Sequence, residues 1–279
     1  MRSDSEVRVQ NDISFEAVSS PAGPGITPVG PSYAPPRFIL DRPALDRALV
    51  HGDPLATALR TVRVLTPWLS LIDVAAPRDV FETSEAVAER VLEDLLAYAE
   101  RDPAAARAGG WEYVFLGVTT WLAVATYRVA HAVINEFAAS GEVLVVARQM
   151  SEAARLATAV EIHPAAVVGR RLVIDHGCGT VIGEQATLGS NVVLLHGVTL
   201  GSRYAADGPV HGRRHPTVGD NVTFSYGSAA LGPIEIGSSA RIGPGCTVTR
   251  DVPAGASVRL IDGAQRIRLD GAAAWGAFE

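Results

Sequence analysis

The stretch "VIDHGCGTVIGEQATLGSNVVLLHGVTLG" occupies residues 173–201. Ile182, Leu188, Leu194 and Leu200 recur in it at a step of six, and Gly follows three of them. The step extends both ways. Ile162, Val168 and Ile174 precede it, and Val218, Phe224, Ala230, Ile236, Ile242 and Val248 follow. A six-residue period suits neither an α-helix nor an alternating strand. It suits a parallel β-helix with one short strand and one turn per hexapeptide. Three such units make a triangular coil, and each inward aliphatic stacks on the one a coil below. The turns need residues that tolerate unusual φ, which accounts for Gly, Asn and Asp in them. Gly169, Gly183, Gly189, Gly201, Gly219, Gly237 and Gly243 directly follow periodic residues. Two stretches break the count, "DHGCGT" and "SRYAADGPVHGRRHP".

Upstream of the periodic region the pattern is helical. In "ETSEAVAERVLEDLLAYAERD", Val87, Val91, Leu95 and Tyr98 share one face. The segment "WEYVFLGVTTWLAVATYRVAHAVINEF" reads as one helix, apolar nearly all round, in the middle of a bundle or at an oligomer contact. "EVLVVARQMSEAARLATAV" reads as another. The expected fold class is α+β. Residues 1–36 form a disordered Pro/Gly-rich arm, 37–158 an α-helical domain, 159–258 the hexapeptide-repeat β-helix and 259–279 a C-terminal tail.

Composition narrows the function classes. At 48% apolar and 19% charged residues, the 279-residue chain is globular rather than disordered. A net charge of -6 argues against nucleic-acid binding. All 24 Lys+Arg residues are arginine, which excludes Schiff-base chemistry and a P-loop lysine. Two cysteines, Cys178 and Cys246, make no disulfide framework. The apolar segment 113–127 is too short to span a bilayer. With no apolar stretch near Met1, the expected location is cytoplasmic.

The polar residues that chemistry would use gather at the interruptions: Glu161, His163, Asp175, His176, Glu184, His196, His211, Arg213, Arg214 and His215. "VEIHPAAVVGRRLVIDHGCGTVIGEQATLGSNVVLLHGVTLG", "RRHPTVGDNV" and "LGPIEIGSSARIGPGCTVTRDVP" resemble the serine O-acetyltransferases, among the hexapeptide-repeat acyltransferases. "RDPAAA" and the "YRVAH" helix resemble that family's helical domain. The resemblance implies a left-handed coil and acyl transfer from acetyl-CoA to a serine-like hydroxyl, in cysteine biosynthesis. It also implies a homotrimer or dimer of trimers with active sites between neighbouring coils, and no metal.

By the same resemblance, His176 is the general base. A neutral imidazole can take the hydroxyl proton as serine attacks the thioester. Glu161 stands where the family has an Asp that orients this base, one methylene longer. Arg214 would clamp the amino-acid carboxylate with two parallel bonds. Asp102 and Asp175 would hold the ammonium, and His215 the substrate or the developing oxyanion. Glu184 matches a polar position near the base. Gly201, Ser202, Tyr226 and Gly227 would line the acetyl-CoA site.

The chain departs from the family in four places. These are Glu161, the longer loop with Tyr204 and His211, the bulk of Ser225 and Tyr226 where the pantetheine arm meets a small-residue coil, and the C-terminal segment. That segment lacks the terminal Ile by which the family docks into cysteine synthase, so that partnership is not expected. Two other classes use the same coil. One is a zinc hydratase of the gamma carbonic-anhydrase kind, with His176, His196 and His215 as ligands. The other is a non-catalytic scaffold or amino-acid sensor.

Overall fold

A computed structural model describes residues 42–65, 80–136, 141–203, 212–261 and 264–268, all within one compact unit that begins at Pro36. The arm, the loop residues Tyr204 and His211, and the end of the tail lie outside the described residues.

Among the described residues seven helices come first: α1 Arg42–Asp46, α2 Pro54–Leu65, α3 Val80–Arg101, α4 Pro103–Ala108, α5 Trp111–Gly117, α6 Thr119–Glu136 and α7 Gly141–Thr158. On α3, Val91, Leu95 and Tyr98 are buried, as their spacing requires. The segment expected as one helix is two. The chain breaks at Val118, which is extended at φ -98, and α5 and α6 meet at 87°. Gly117 and the β-branched run Val118-Thr119-Thr120 are poor helix formers, so the break falls there. Among the described residues no single helix is long and apolar enough to cross a membrane.

Ala159 turns the chain at φ 58 out of α7 and into the coil. Among the described residues thirteen short strands follow: β1 Glu161–Ile162, β2 Val167–Val168, β3 Val173–Ile174, β4 Val181–Ile182, β5 Thr187–Leu188, β6 Val193–Leu194, β7 Thr199–Gly201, β8 Thr217–Val218, β9 Thr223–Phe224, β10 Ala229–Leu231, β11 Glu235–Ile236, β12 Arg241–Ile242 and β13 Thr247–Val248, and each ends on or contains one periodic residue. They wind into three parallel sheets, the faces of a left-handed triangular prism. One face stacks β1, β4, β7, β10 and β13, a second β2, β5, β8 and β11, and the third β3, β6, β9, β12 and β14. The register places Ile162, Ile182, Leu200, Ala230 and Val248 in one column. Every periodic residue is buried, Phe224 included. Burying each such side chain stabilises the fold by roughly 1.5–3 kcal/mol for a Val, Leu, Ile or Phe. In the tail, β14 Ser257–Ile261 turns back antiparallel as β15 Ala264–Arg268.

The glycines after the aliphatics have a different cause from the one expected. Their φ is ordinary. Gly201 apart, they are small because the next coil passes too close: a Cβ on Gly169 would stand 2.5 Å from the carbonyl carbon of Gly189. The left-handed positions belong instead to Arg171, Asn191, Asn221 and Ser239 at one corner, and to Gly197, Gly227 and Gly245 at another.

Helices and coil share a core, and buried polar groups join them. Arg128 on α6 donates to Asp94 on α3 at 2.8 and 3.1 Å, and to the carbonyls of Val168 and Gly169 at 2.7 and 2.6 Å. Asp94 also accepts from the Leu172 N–H at 2.9 Å. Burial pushes the Asp94 carboxyl above the ordinary carboxylate range, and Arg128 opposes that. Removing one partner strands the other in the core. Arg128→Met should therefore lower the unfolding free energy by about 3–5 kcal/mol, read from urea melts. A change within error would mean that the cluster is not what seats the helices on the first coil.

Candidate active site

Two corners of the prism carry the polar residues. The first lies between β3 and β4, where the chain makes the longer turn 175–180 in place of the four-residue turns 195–198 and 225–228 above it. The extra length throws His176 outward. Its φ is 58, in the left-handed region that few residues other than Gly occupy, and its side chain is 73% exposed. Asp175 lies beside it, with Oδ2 3.8 Å from Nε2. The hydroxyl of Tyr98 donates to the Ile174 carbonyl at 3.1 Å and accepts from its N–H at 2.9 Å, which fixes the strand that leads into the turn.

On the helical side of this turn, away from the later coils, α4, α5 and the start of α6 wall a cleft of about 800 Å³. Asp102, Asp175 and His176 all line it, with Arg101, Arg107 and Thr120. Asp102 caps α4, its Oδ1 accepting from the Ala104 N–H at 2.7 Å. The cap therefore aims Asp102 at the cleft, and the break at Val118 opens the cleft's wall.

The second corner lies at the other edge of the face that holds β1, β4 and β7. Arg214 donates to Glu184 at 2.7 Å, and its backbone N–H to Gln185 Oε1 at 2.9 Å. His215 is buried beneath. Its ring occupies the space that a Cβ on Gly183 would fill, which ties the "GE" of one coil to the "RHP" of the next. Burial, then the charge of Arg214, push the His215 imidazole below its ordinary pKa, and burial does the same to His163. Glu161 and Glu184 both act on His163. The carboxylate of Glu161 accepts from Arg148 at 3.0 Å.

The predicted site residues thus fall into two groups within one chain. Asp102, Asp175 and His176 come together, and so do Glu161, Glu184, Arg214 and His215, at a different corner. Glu161 binds Arg148 rather than His176. Gly201 ends β7 and Ser202 enters the second corner, whereas Tyr226 and Gly227 share the corner of His176. His215 is likewise at a different corner from His176 and His196. Cys178 is an exposed thiol in the His176 turn, and Cys246 is buried filler. Sequence reasoning missed Gln185 and the ring partner of His196. Gln185 braces the backbone of Arg214, and its position after Glu184 was the available signal. His196 stacks on Tyr226, and only coil register reveals that.

The serine acetyltransferase of Mycobacterium tuberculosis is 44% identical over 170 residues, which cover 61% of this chain and 69% of that protein. The chain belongs to the serine acetyltransferase family. Two solved members of that family agree. Soybean serine acetyltransferase complexed with serine superposes with a TM-score of 0.60 at 30% identity, covering 82% of this chain and 84% of that one. A serine acetyltransferase in complex with CoA superposes with a TM-score of 0.60 at 27% identity, covering 81% and 83%. No family model matches the chain.

Proposed function

We propose that this chain transfers the acetyl group of acetyl-CoA to the hydroxyl of L-serine, a step of cysteine biosynthesis, with His176 as general base. The observation that carries the reading is the first corner: an outward imidazole beside two carboxylates at the mouth of a cleft. The serine and CoA bound to solved relatives support the substrates. Asp175 and the free Oδ2 of Asp102 receive the serine ammonium. His176 accepts the hydroxyl proton as the oxygen attacks the thioester carbonyl, and a tetrahedral adduct forms. Its collapse breaks the C–S bond. The thiolate leaves with the proton from the imidazolium, giving O-acetylserine and free CoA thiol. The free cysteines accord with a cytoplasmic setting.

The carboxylate clamp Arg214, with His215 and Glu184, sits at the other corner. We therefore assign the complete site to the junction of two subunits in a homotrimer, the first corner of one against the second corner of the next. In that arrangement Glu161 reaches the His176 of a neighbouring subunit and orients its ring. Glu161→Gln should then lower kcat more than KM, because it disturbs the base and not a substrate contact. A kinetically silent Glu161→Gln would dismiss the dyad.

The deciding experiment follows thiol release from acetyl-CoA with serine, homoserine and threonine. Preference for serine supports the reading. Release that is independent of any amino acid would refute it.

A further inference from the structure

In the proposed reaction the acceptor ammonium sits in the cleft beside Asp102 and Asp175, which leaves the rest of the His176 corner for the donor. The helices and the cleft take one side. The other side is the same corner continued up the coil. There Cys178, His196, Tyr226 and Pro244 stand one above another. The amide after each of the upper three binds the carbonyl of the residue below: Gly197 to Cys178 at 2.9 Å, Gly227 to His196 at 2.9 Å, Gly245 to Tyr226 at 3.0 Å. Such register brings side chains on successive coils within about 5 Å of one another. His196 and Tyr226 use it to stack, 5.5 Å between centroids and 6° between planes. His176 meets His196 edge-on, at 6.1 Å and 74°.

Tyr226 is 51% exposed. Among the described residues no protein hydrogen bond engages either ring. Its neighbours in "FSYGSAA" are mostly small, so the corner has no packing need for a large ring there. Two flat rings exposed in line with the base point to a ligand.

We propose that the His196–Tyr226 stack is an acyl-length gate: it narrows the donor side of His176 to the acetyl methyl and shuts out longer acyl chains. This rests on the reading of His176 as the base. His196, the ring next to the base, is the wall that the acyl chain meets. Tyr226 is a positioning residue that stacks on His196 from the next coil and holds it flat. A rigid wall discriminates against an added methylene because the chain meets carbon and not water, and such exclusion amounts to about 10–200-fold per methylene.

The test compares acetyl-, propionyl- and butyryl-CoA by thiol release at saturating serine. In the wild type kcat/KM should fall about tenfold or more with each methylene. Tyr226→Ala should flatten that series. Tyr226→Phe should retain it, because the ring and not the hydroxyl braces His196. His196→Ala should flatten it as well, and combining it with Tyr226→Ala should change nothing further. A series unchanged in Tyr226→Ala overturns the gate. So does a donor KM that rises equally for all three donors, which would make the stack a binding platform. In both cases serine turnover persists and the proposed function stands. No thiol release with any donor would overturn the gate together with that function.

Discussion

The His176→Ala enzyme is expected to lose about 10²–10⁴ in kcat while its fold and its affinity for both substrates persist. His176 projects from a turn with its side chain mostly in solvent, so removing the ring leaves no cavity in the core. The backbone needs more care. At φ 58 a left-handed alanine is strained by roughly 1–2 kcal/mol. His176→Asn is therefore the companion variant, because Asn accepts that conformation far better and its amide cannot serve as a base. Both variants should be equally slow in single-turnover thiol release, and both should melt within a few degrees of the wild type. If Asn restores near-wild-type kcat, the turn's shape matters and the imidazole does not, and the base is another residue.

What could be read beforehand follows from how each feature is encoded. A hexapeptide has one inward position, so the coil writes its core directly into the period, and Phe224 kept its place despite its size. The break at Val118 is different. Apolar residues continue on both sides of it, so hydrophobic pattern carries no sign of the 87° bend. Residue identities do not carry the layout of the candidate site. Asp102 shares a cleft with His176 only because the helix it caps borders the first coil. Gly183 serves His215 only because the loop before Pro216 returns to the corner it left. Glu161 looked like the immediate partner of His176, yet within one chain Arg148 holds its carboxylate. Contacts of this kind depend on coil register and, in the proposed trimer, on a neighbouring subunit, and neither is local in the chain.

The second large effect concerns Arg214. Without substrate its guanidinium is paired with Glu184 at 2.7 Å and is about one-third exposed, so it is held in place and can still receive a carboxylate. Arg214→Lys keeps the charge and loses the planar fork. Loss of a charge-assisted bond of about 1.5–3 kcal/mol predicts a rise of about 10–100-fold in the KM for serine, with the KM for acetyl-CoA little changed. Equal effects on both substrates would place Arg214 elsewhere in the site. The same residue also tests where the site lies. Arg214→Ala subunits retain His176, and His176→Ala subunits retain Arg214. If each site uses one corner from each of two subunits, mixed trimers contain some junctions where both corners are native. Random mixing of equal amounts makes about one junction in four complete, so two nearly inactive proteins, unfolded and refolded together, should regain about a quarter of wild-type activity. If instead Arg214 folded over to serve the His176 of its own chain, every subunit would lack one half, and mixing would restore nothing.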